Sequence, residues 1–277
     1  MTAGFAVERL LDGYGLIEGP TWDGSGLLFS DVPNGGVHRL DVGSGSVETV
    51  IPKRRGVGGI ALHADGGLVV SGRNIQHVRD GEIRVLHSDD TVGGFNDLTT
   101  DQAGRVYFGS LRHDPFGPPD QQLRTGEAYR LELDGTVTQL YDDVGLTNGI
   151  GFSPDGGRMY HADSTRGHLI GHRVAGGAVT DRFVFAEVRG DPDGLAVDVE
   201  GGVWVACPNG GCVRRYRPDG TEDVEVAVPQ PFVTSCCFGG PDLTDLYVVT
   251  ATDEQGTGSV YVTPAGVAGL PISPARV

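Results

Sequence analysis

A short strand-like segment built on an Asp/Gly turn recurs six times along this chain. It reads WDGSGLLFSDV from Trp22, HADGGLVVSGR from His63, TDQAGRVYFGSL from Thr100, SPDGGRMYHADS from Ser153, VDVEGGVWVACP from Val197 and GGPDLTDLYVVTA from Gly239. The turn aspartates, Asp23, Asp65, Asp101, Asp155, Asp198 and Asp242, stand 42, 36, 54, 43 and 44 residues apart. In each unit an apolar strand leads into the turn, an alternating strand leaves it, and a third strand such as GGVHRLDV or GEAYRLEL ends in a further Gly turn before a fourth. Four strands in about 44 residues is the pattern of one propeller blade. A lone four-stranded sheet would leave both faces open, so the units must pack face to face around an axis. The expected architecture is all-β: one domain over residues 1–277, a six-bladed β-propeller of four-stranded antiparallel blades around a central channel. Ring closure should use the N-terminal segment Gly4–Leu11 as a strand of the last blade, protecting two edges at once.

Composition fits that reading. There are 46 glycines in 277 residues, with no Gly-X-Y period, and 38% of residues are hydrophobic, enough to bury a core. Collagen and disorder are excluded, and a helical bundle is a poor match for so many turn residues. Lysine and arginine total 21 against 37 aspartates and glutamates, a net charge of −16. Such a surface repels phosphate backbones and anionic lipid, so neither nucleic acid nor membrane is an expected partner. The first residues, MTAGFAVERLLDGYG, lack a basic stretch followed by an apolar one, and no run of 18 apolar residues occurs. The expectation is a cytoplasmic protein, a monomer or weak homo-oligomer. The four cysteines show no metal-like spacing and read as buried thiols, with the vicinal Cys236 and Cys237 facing opposite sides of a strand.

Setting the repeats in register isolates a polar position. Eight residues before Gly26, Gly104, Gly156 and Gly201 stand Glu18, Asn96, Asn148 and Asp193. The same count from Gly66 reaches Gly58, and the rearranged sixth turn brings the register to about Ser235 or Cys236. Residues at one repeat phase on the innermost strands should point at one spot on the axis. Asn-Gly and Asp-Gly also favour turns, but Glu is a poor turn former, and the second unit keeps the repeat without the polar residue. Two carboxylates and two amide oxygens make a hard-oxygen set suited to a divalent cation such as Ca2+, Mg2+ or Mn2+.

The motifs that carry these residues resemble the regucalcin/gluconolactonase family, also called the senescence marker protein and sugar-lactonase family. They are IEGPTW at Ile17, FNDLTTDQAGRVYFGS at Phe95, LTNGIGFSPDG at Leu146, PDGLAVDVEGGVWVA at Pro192, NGGCVRRYRPDG at Asn209 and TSCCFGGPDLTDLYVVTA at Thr234, in order along nearly the whole chain. The resemblance implies a metal-dependent lactone hydrolase with one divalent cation, Ca2+ foremost and Mg2+, Mn2+ or Zn2+ as alternatives. It implies Glu18, Asn148 and Asp193 as metal ligands, Asp193 also as catalytic base, and Asn96 as a substrate or water contact. One departure stands out: relatives often carry Arg immediately before the FND motif to grip sugar hydroxyls, and this chain has Gly94 there.

Other groups are then candidates to contact the substrate, which the resemblance implies is a small lactone. Arg112 and His113 open the insertion Leu111–Gly126, which accounts for the longest interval, and Arg73 holds the equivalent place in the second unit. Each is equally at home as a solvated loop residue. Asp163 and Ser164 are candidates for the channel mouth, while Trp22 and Phe152 read as blade core. Two other functions share such a site: an organophosphatase-like phosphotriester hydrolase, and a non-catalytic binding propeller stabilised by its cation.

Overall fold

The computed structural model describes residues 5–112, 117, 124–251 and 257–277. Their strands form six four-stranded antiparallel sheets, and no helix occurs among the described residues. The expected six-bladed propeller is the fold, and its blades follow chain order. Ile17–Trp22, Ile60–Leu62, Gly94–Thr100, Thr147–Phe152, Leu195–Val197 and Val233–Gly239 each occupy one edge of their sheet, the innermost place. The closing strand is Glu8–Tyr14 rather than Gly4–Leu11. It pairs with Gly258–Pro264 as the outermost strand of the last blade, through Glu8↔Val262 and Tyr14↔Gly258. The shift arises because two bulges, between Arg9 and Leu11 and between Leu11 and Tyr14, let a longer segment keep pace with its partner.

Six apolar clusters hold the ring, one at each junction between blades. Ile17, Phe29 and Leu40 pack on Cys237, Tyr247 and Val260 where the last blade meets the first. On the other face of the last blade, Cys236, Phe238 and Val248 meet Trp204 and Val213. The adjacent cysteines thus serve two different junctions, and all four cysteines are free and buried. Phe152 is buried against Tyr107, while Trp22 stacks on Tyr247 at 5.5 Å.

The turn glycines that set the register are positive-φ residues in four blades: Gly66, Gly104, Gly156 and Gly201, at φ between 67° and 90°. The first blade has a turn one residue shorter. Gly24 takes the positive φ there, and Gly26 is required because a Cβ would meet the Arg39 guanidinium at 2.7 Å. In the last blade Leu243 occupies the equivalent place at φ 55°, which fixes Ser235 as the eighth residue before it. Beneath these turns the C-terminal segment crosses from the last blade to the second and third. Its backbone bonds run from Leu270 N to Val197 O, Ala275 N to Leu62 O and Arg276 N to Gly104 O, at 2.7 to 2.9 Å.

Candidate functional site

At the upper ends of the inner strands lies a cavity of about 560 Å³ whose wall includes Glu18, Gly58, Asn96, Asn148 and Asp193. The repeat phase has brought together all four polar residues found by counting, and the second blade's glycine with them. Local sequence explains how. The inner strands of blades one, three, four and six break their ladder at this level, between Glu18 and Thr21, Phe95 and Leu98, Thr147 and Ile150, and Val233 and Ser235. A bulge re-aims the side chains beside it. Gly149 and Gly194 lie so close to the next inner strand that a Cβ would meet Leu195 N at 2.4 Å and Ser235 Oγ at 2.0 Å. Gly58 likewise leaves the space into which Asn96 Oδ1 projects, 2.4 Å from where its Cβ would be. The Asn148-Gly149 pair is a close-approach position inside a strand, and Asp193-Gly194 is one just before a strand.

The polar groups are linked. Asn96 Nδ2 donates to Thr147 O at 2.8 Å and to Asn148 Oδ1 at 2.5 Å. Asn148 Nδ2 donates to Ser164 Oγ at 2.7 Å, and that hydroxyl donates to Pro192 O at 2.5 Å, next to Asp193. Ser164 lines the cavity, as its place in YHADS suggested, whereas Asp163 is fully buried under the mouth and takes Gly145 N and Arg166.

Charge is concentrated and poorly compensated. Burial raises the Glu18 carboxyl well above its usual range, and Asp193 and Asp97 add to the effect. Burial, then Asp97, raises Asp193 in the same way. Asp97 itself is pushed up to about 7 by burial. Asp193 is 8% exposed, and its Oδ1 has no hydrogen-bond partner among the described residues. A buried carboxylate oxygen left unpaired beside two further acids is costly. The donor chemistry, all oxygen, and that unpaired atom both fit a hard divalent cation.

Asp97 was not singled out by the register. A regular strand would turn it away from its neighbour Asn96, but the bulge at this point places it on the wall of a second cavity, about 180 Å³, further down the channel. That cavity is floored by Leu270, Pro271, Ile272 and Ser273 of the C-terminal segment.

The arginines expected to face substrate are engaged elsewhere. Arg112 Nη2 pairs with Glu127 Oε1 at 2.5 Å and its Nη1 donates to Thr91 O at 3.1 Å. Arg73 pairs with Asp90 at 2.7 Å and donates to the carbonyls of Asp89 and Val92. Neither belongs to the described cavity wall. His113 lies outside the described residues. Gly94 has a structural reason: Phe95 exchanges backbone hydrogen bonds with Gly72, and a Cβ on Gly94 would lie 2.9 Å from Gly72 O. The remaining wall residues, including Leu16, Val32, Asp191, Asn209 and Phe232, sit on loops; Leu16 and Asp191 share with Gly56 and Leu146 the place two residues before the register position, where residue type varies from blade to blade.

Comparison with known proteins bears on this site. The family described as SMP-30/Gluconolactonase/LRE-like region matches residues 16–252. The pentonolactonase XacC of Haloferax volcanii is 37% identical over 259 residues, covering 87% of this chain and 83% of the relative. Regucalcin of Xenopus laevis is 30% identical over 281 residues, 93% of each chain. Among solved structures, a luciferin-regenerating enzyme superposes with a TM-score of 0.89 at 26% identity, covering 99% of this chain and 100% of the other.

Proposed function

The chain belongs to the SMP-30/gluconolactonase/LRE-like family, and on that premise we propose that it is a divalent-cation-dependent lactone hydrolase. The observation that carries the proposal is the unpartnered Asp193 Oδ1, buried in a cavity that Glu18, Asn96 and Asn148 share. The relationship to a pentonolactonase supports a small cyclic ester as substrate.

Glu18, Asn148 and Asp193 would hold the cation. Bound there, it would polarise the lactone carbonyl and stabilise the negative charge that grows on its oxygen. The protein's own part is positioning and proton transfer. Asn96 Nδ2 donates to Thr147 O and Asn148 Oδ1, which keeps the two amides in register and leaves Asn96 Oδ1 as an acceptor for water or substrate. Water adding to the carbonyl carbon must lose a proton, and the Asp193 carboxylate, whose second oxygen is free when one holds the cation, would be the acceptor. As the ring C–O bond breaks, the departing alkoxide takes that proton and leaves a hydroxy acid.

The test is a pH-indicator assay over γ- and δ-lactones, run with chelator and after adding back Ca2+, Mg2+, Mn2+ or Zn2+. Acid release that disappears with chelator and returns with a cation is the expected result. Turnover of organophosphate triesters without lactones would replace the substrate assignment. A chelator-sensitive melting temperature with no turnover on either panel would make the protein a binding propeller.

A further inference from the structure

The cavity wall has polar and apolar parts. Loops of blades four and five contribute Ser164, Thr165, Asp191 and Asn209 beside Leu146 and Pro208, while Leu16, Val32, Leu111 and Phe232 come from blades one, three and six. Asp191 is the charged group of the polar wall above the site floor. Its Oδ2 accepts from Asn209 Nδ2 at 2.5 Å. Arg189, two residues before it, pairs with Glu222, and Arg166 is committed to Asp143 and Asp163. Asp191 also keeps a positive φ of 60°, a conformation that Asp tolerates better than most residues.

We propose that Asp191, held by Asn209, is the hydroxyl-recognising group of this site and that it selects a small hydroxylated lactone, the part of the substrate that Gly94 and the tethered Arg73 and Arg112 do not grip. This rests on the lactonase reading above. A carboxylate accepts hydrogen bonds and donates none, so it takes substrate hydroxyls, and charge-assisted bonds of that kind are the strong ones. The apolar wall receives the C–H face of the ring. Recognition thus sits on the loops of blades four and five rather than on the FND strand of blade three.

The experiment compares two five-carbon γ-lactones that differ in hydroxylation, a pentono-γ-lactone and γ-valerolactone, using kcat/KM with the cation present. Wild type should prefer the pentonolactone. Asp191→Gly, which keeps the backbone conformation accessible, should cut the ratio of the two kcat/KM values about tenfold, chiefly through KM for the pentonolactone. Asp191→Asn keeps the shape and serves as the second variant should glycine loosen the loop; it should cut the same ratio. Asn209→Ala should lower it less, since the carboxylate survives. A ratio unchanged in both Asp191 variants, or kcat/KM for both lactones falling in parallel, overturns the assignment while leaving the hydrolase standing. Wild-type preference for γ-valerolactone overturns it as well. Wild-type turnover of neither lactone overturns the hydrolase reading and this inference together.

Discussion

The two ends of the inner strands handle aspartate in opposite ways. At the lower end Asp198 is fully buried, and every acceptor position is used. Its Oδ1 takes Glu200 N and Gly202 N, and its Oδ2 takes Trp204 Nε1 at 2.8 Å and Arg215 Nε at 2.7 Å. Asp101 repeats the pattern in blade three, with Arg105 and Tyr107. At the upper end Asp193 is buried nearly as well, five residues from Asp198, yet one oxygen has no partner among the described residues, and Asp97 and Glu18 are close enough to raise or be raised by its charge. The two residues are of one type and flank the same inner strand, Leu195–Val197, so the difference is one of satisfaction. Asp198 and Asp101 fasten their turns to their blades, whereas Asp193 stands in a state that a ligand would relieve.

Replacing the upper carboxylate should show that contrast most strongly. Asp193→Asn is expected to lower kcat on the best lactone by about 10²–10⁴-fold, the usual worth of a general base. In chelator the same variant should melt above the wild type, because a poorly solvated charge has been removed. Lost activity together with gained cation-free stability is the signature; a variant that keeps full turnover with cation bound would end the base assignment.

The lower carboxylate should behave in reverse. Asp198→Ala leaves Arg215 and the Trp204 indole N–H short of a buried partner and unties the turn, a loss of about 3–5 kcal/mol. Thermal melting should fall by about 10 °C. The folded fraction should keep its kcat at low temperature, since Asp198 lies on the opposite side of the blade from the cavity mouth. Equal sensitivity of stability to Asp193→Asn and Asp198→Ala would erase the distinction between the two ends.

Sequence periodicity made the strands, blade count and four polar cavity residues legible because all of these obey the repeat. The eight-residue rule survived even where the turn changed. Blade one loses a residue from its turn, but Gly26 is kept by the closeness of Arg39, and Leu243 adopts the glycine conformation in blade six. What escaped was set by tertiary contacts that no period encodes. The bulge at Asn96 and Asp97, where Asp97 joins the wall of the second cavity, appears only when two strands are paired. Arg112 looked available because Glu127, its partner, lies across an insertion fifteen residues away. Asp191 and Asn209 belong to loops of one blade each, and the C-terminal segment under the channel has no counterpart elsewhere in the chain.

Titration gives a further contrast, between the site and the body of the ring. Burial pushes His161 down to about 3 and His172 down to about 4. Tyr141 donates to or accepts from His161 Nδ1 at 2.8 Å and stacks on His172 at 4.2 Å. Both imidazoles stay neutral in the folded protein at mildly acid pH, while the unfolded chain takes up their protons near 6.5. The unfolded state then binds more protons, so stability is full above pH 6.5 and is lost as pH falls toward 4 and 3. The slope is at most about 1.4 kcal/mol per pH unit for each ring. His172→Phe keeps the stack and removes one titration, at the cost of its bond to the Thr180 backbone. Urea unfolding at pH 7.5 and pH 5 should show the variant losing about 2 kcal/mol less than wild type between the two. Identical losses would move the acid sensitivity out of this blade junction.

The smallest expected effect is at Ser164, which joins the two regimes because it is itself satisfied and serves an unsatisfied site. By accepting from Asn148 Nδ2 while donating to Pro192 O, its hydroxyl fixes which end of the Asn148 amide faces Asn96 and the cavity. Ser164→Ala removes that preference without touching a carboxylate. One neutral hydrogen bond is worth about 1 kcal/mol, so cation affinity should fall by about fivefold, read as a weaker Ca2+-dependent rise in melting temperature. Saturating cation should restore turnover, because the ligands remain, whereas the loss at Asp193→Asn should persist at every cation concentration. A Ser164→Ala protein with undiminished cation affinity would mean that Asn96 alone orients the Asn148 amide.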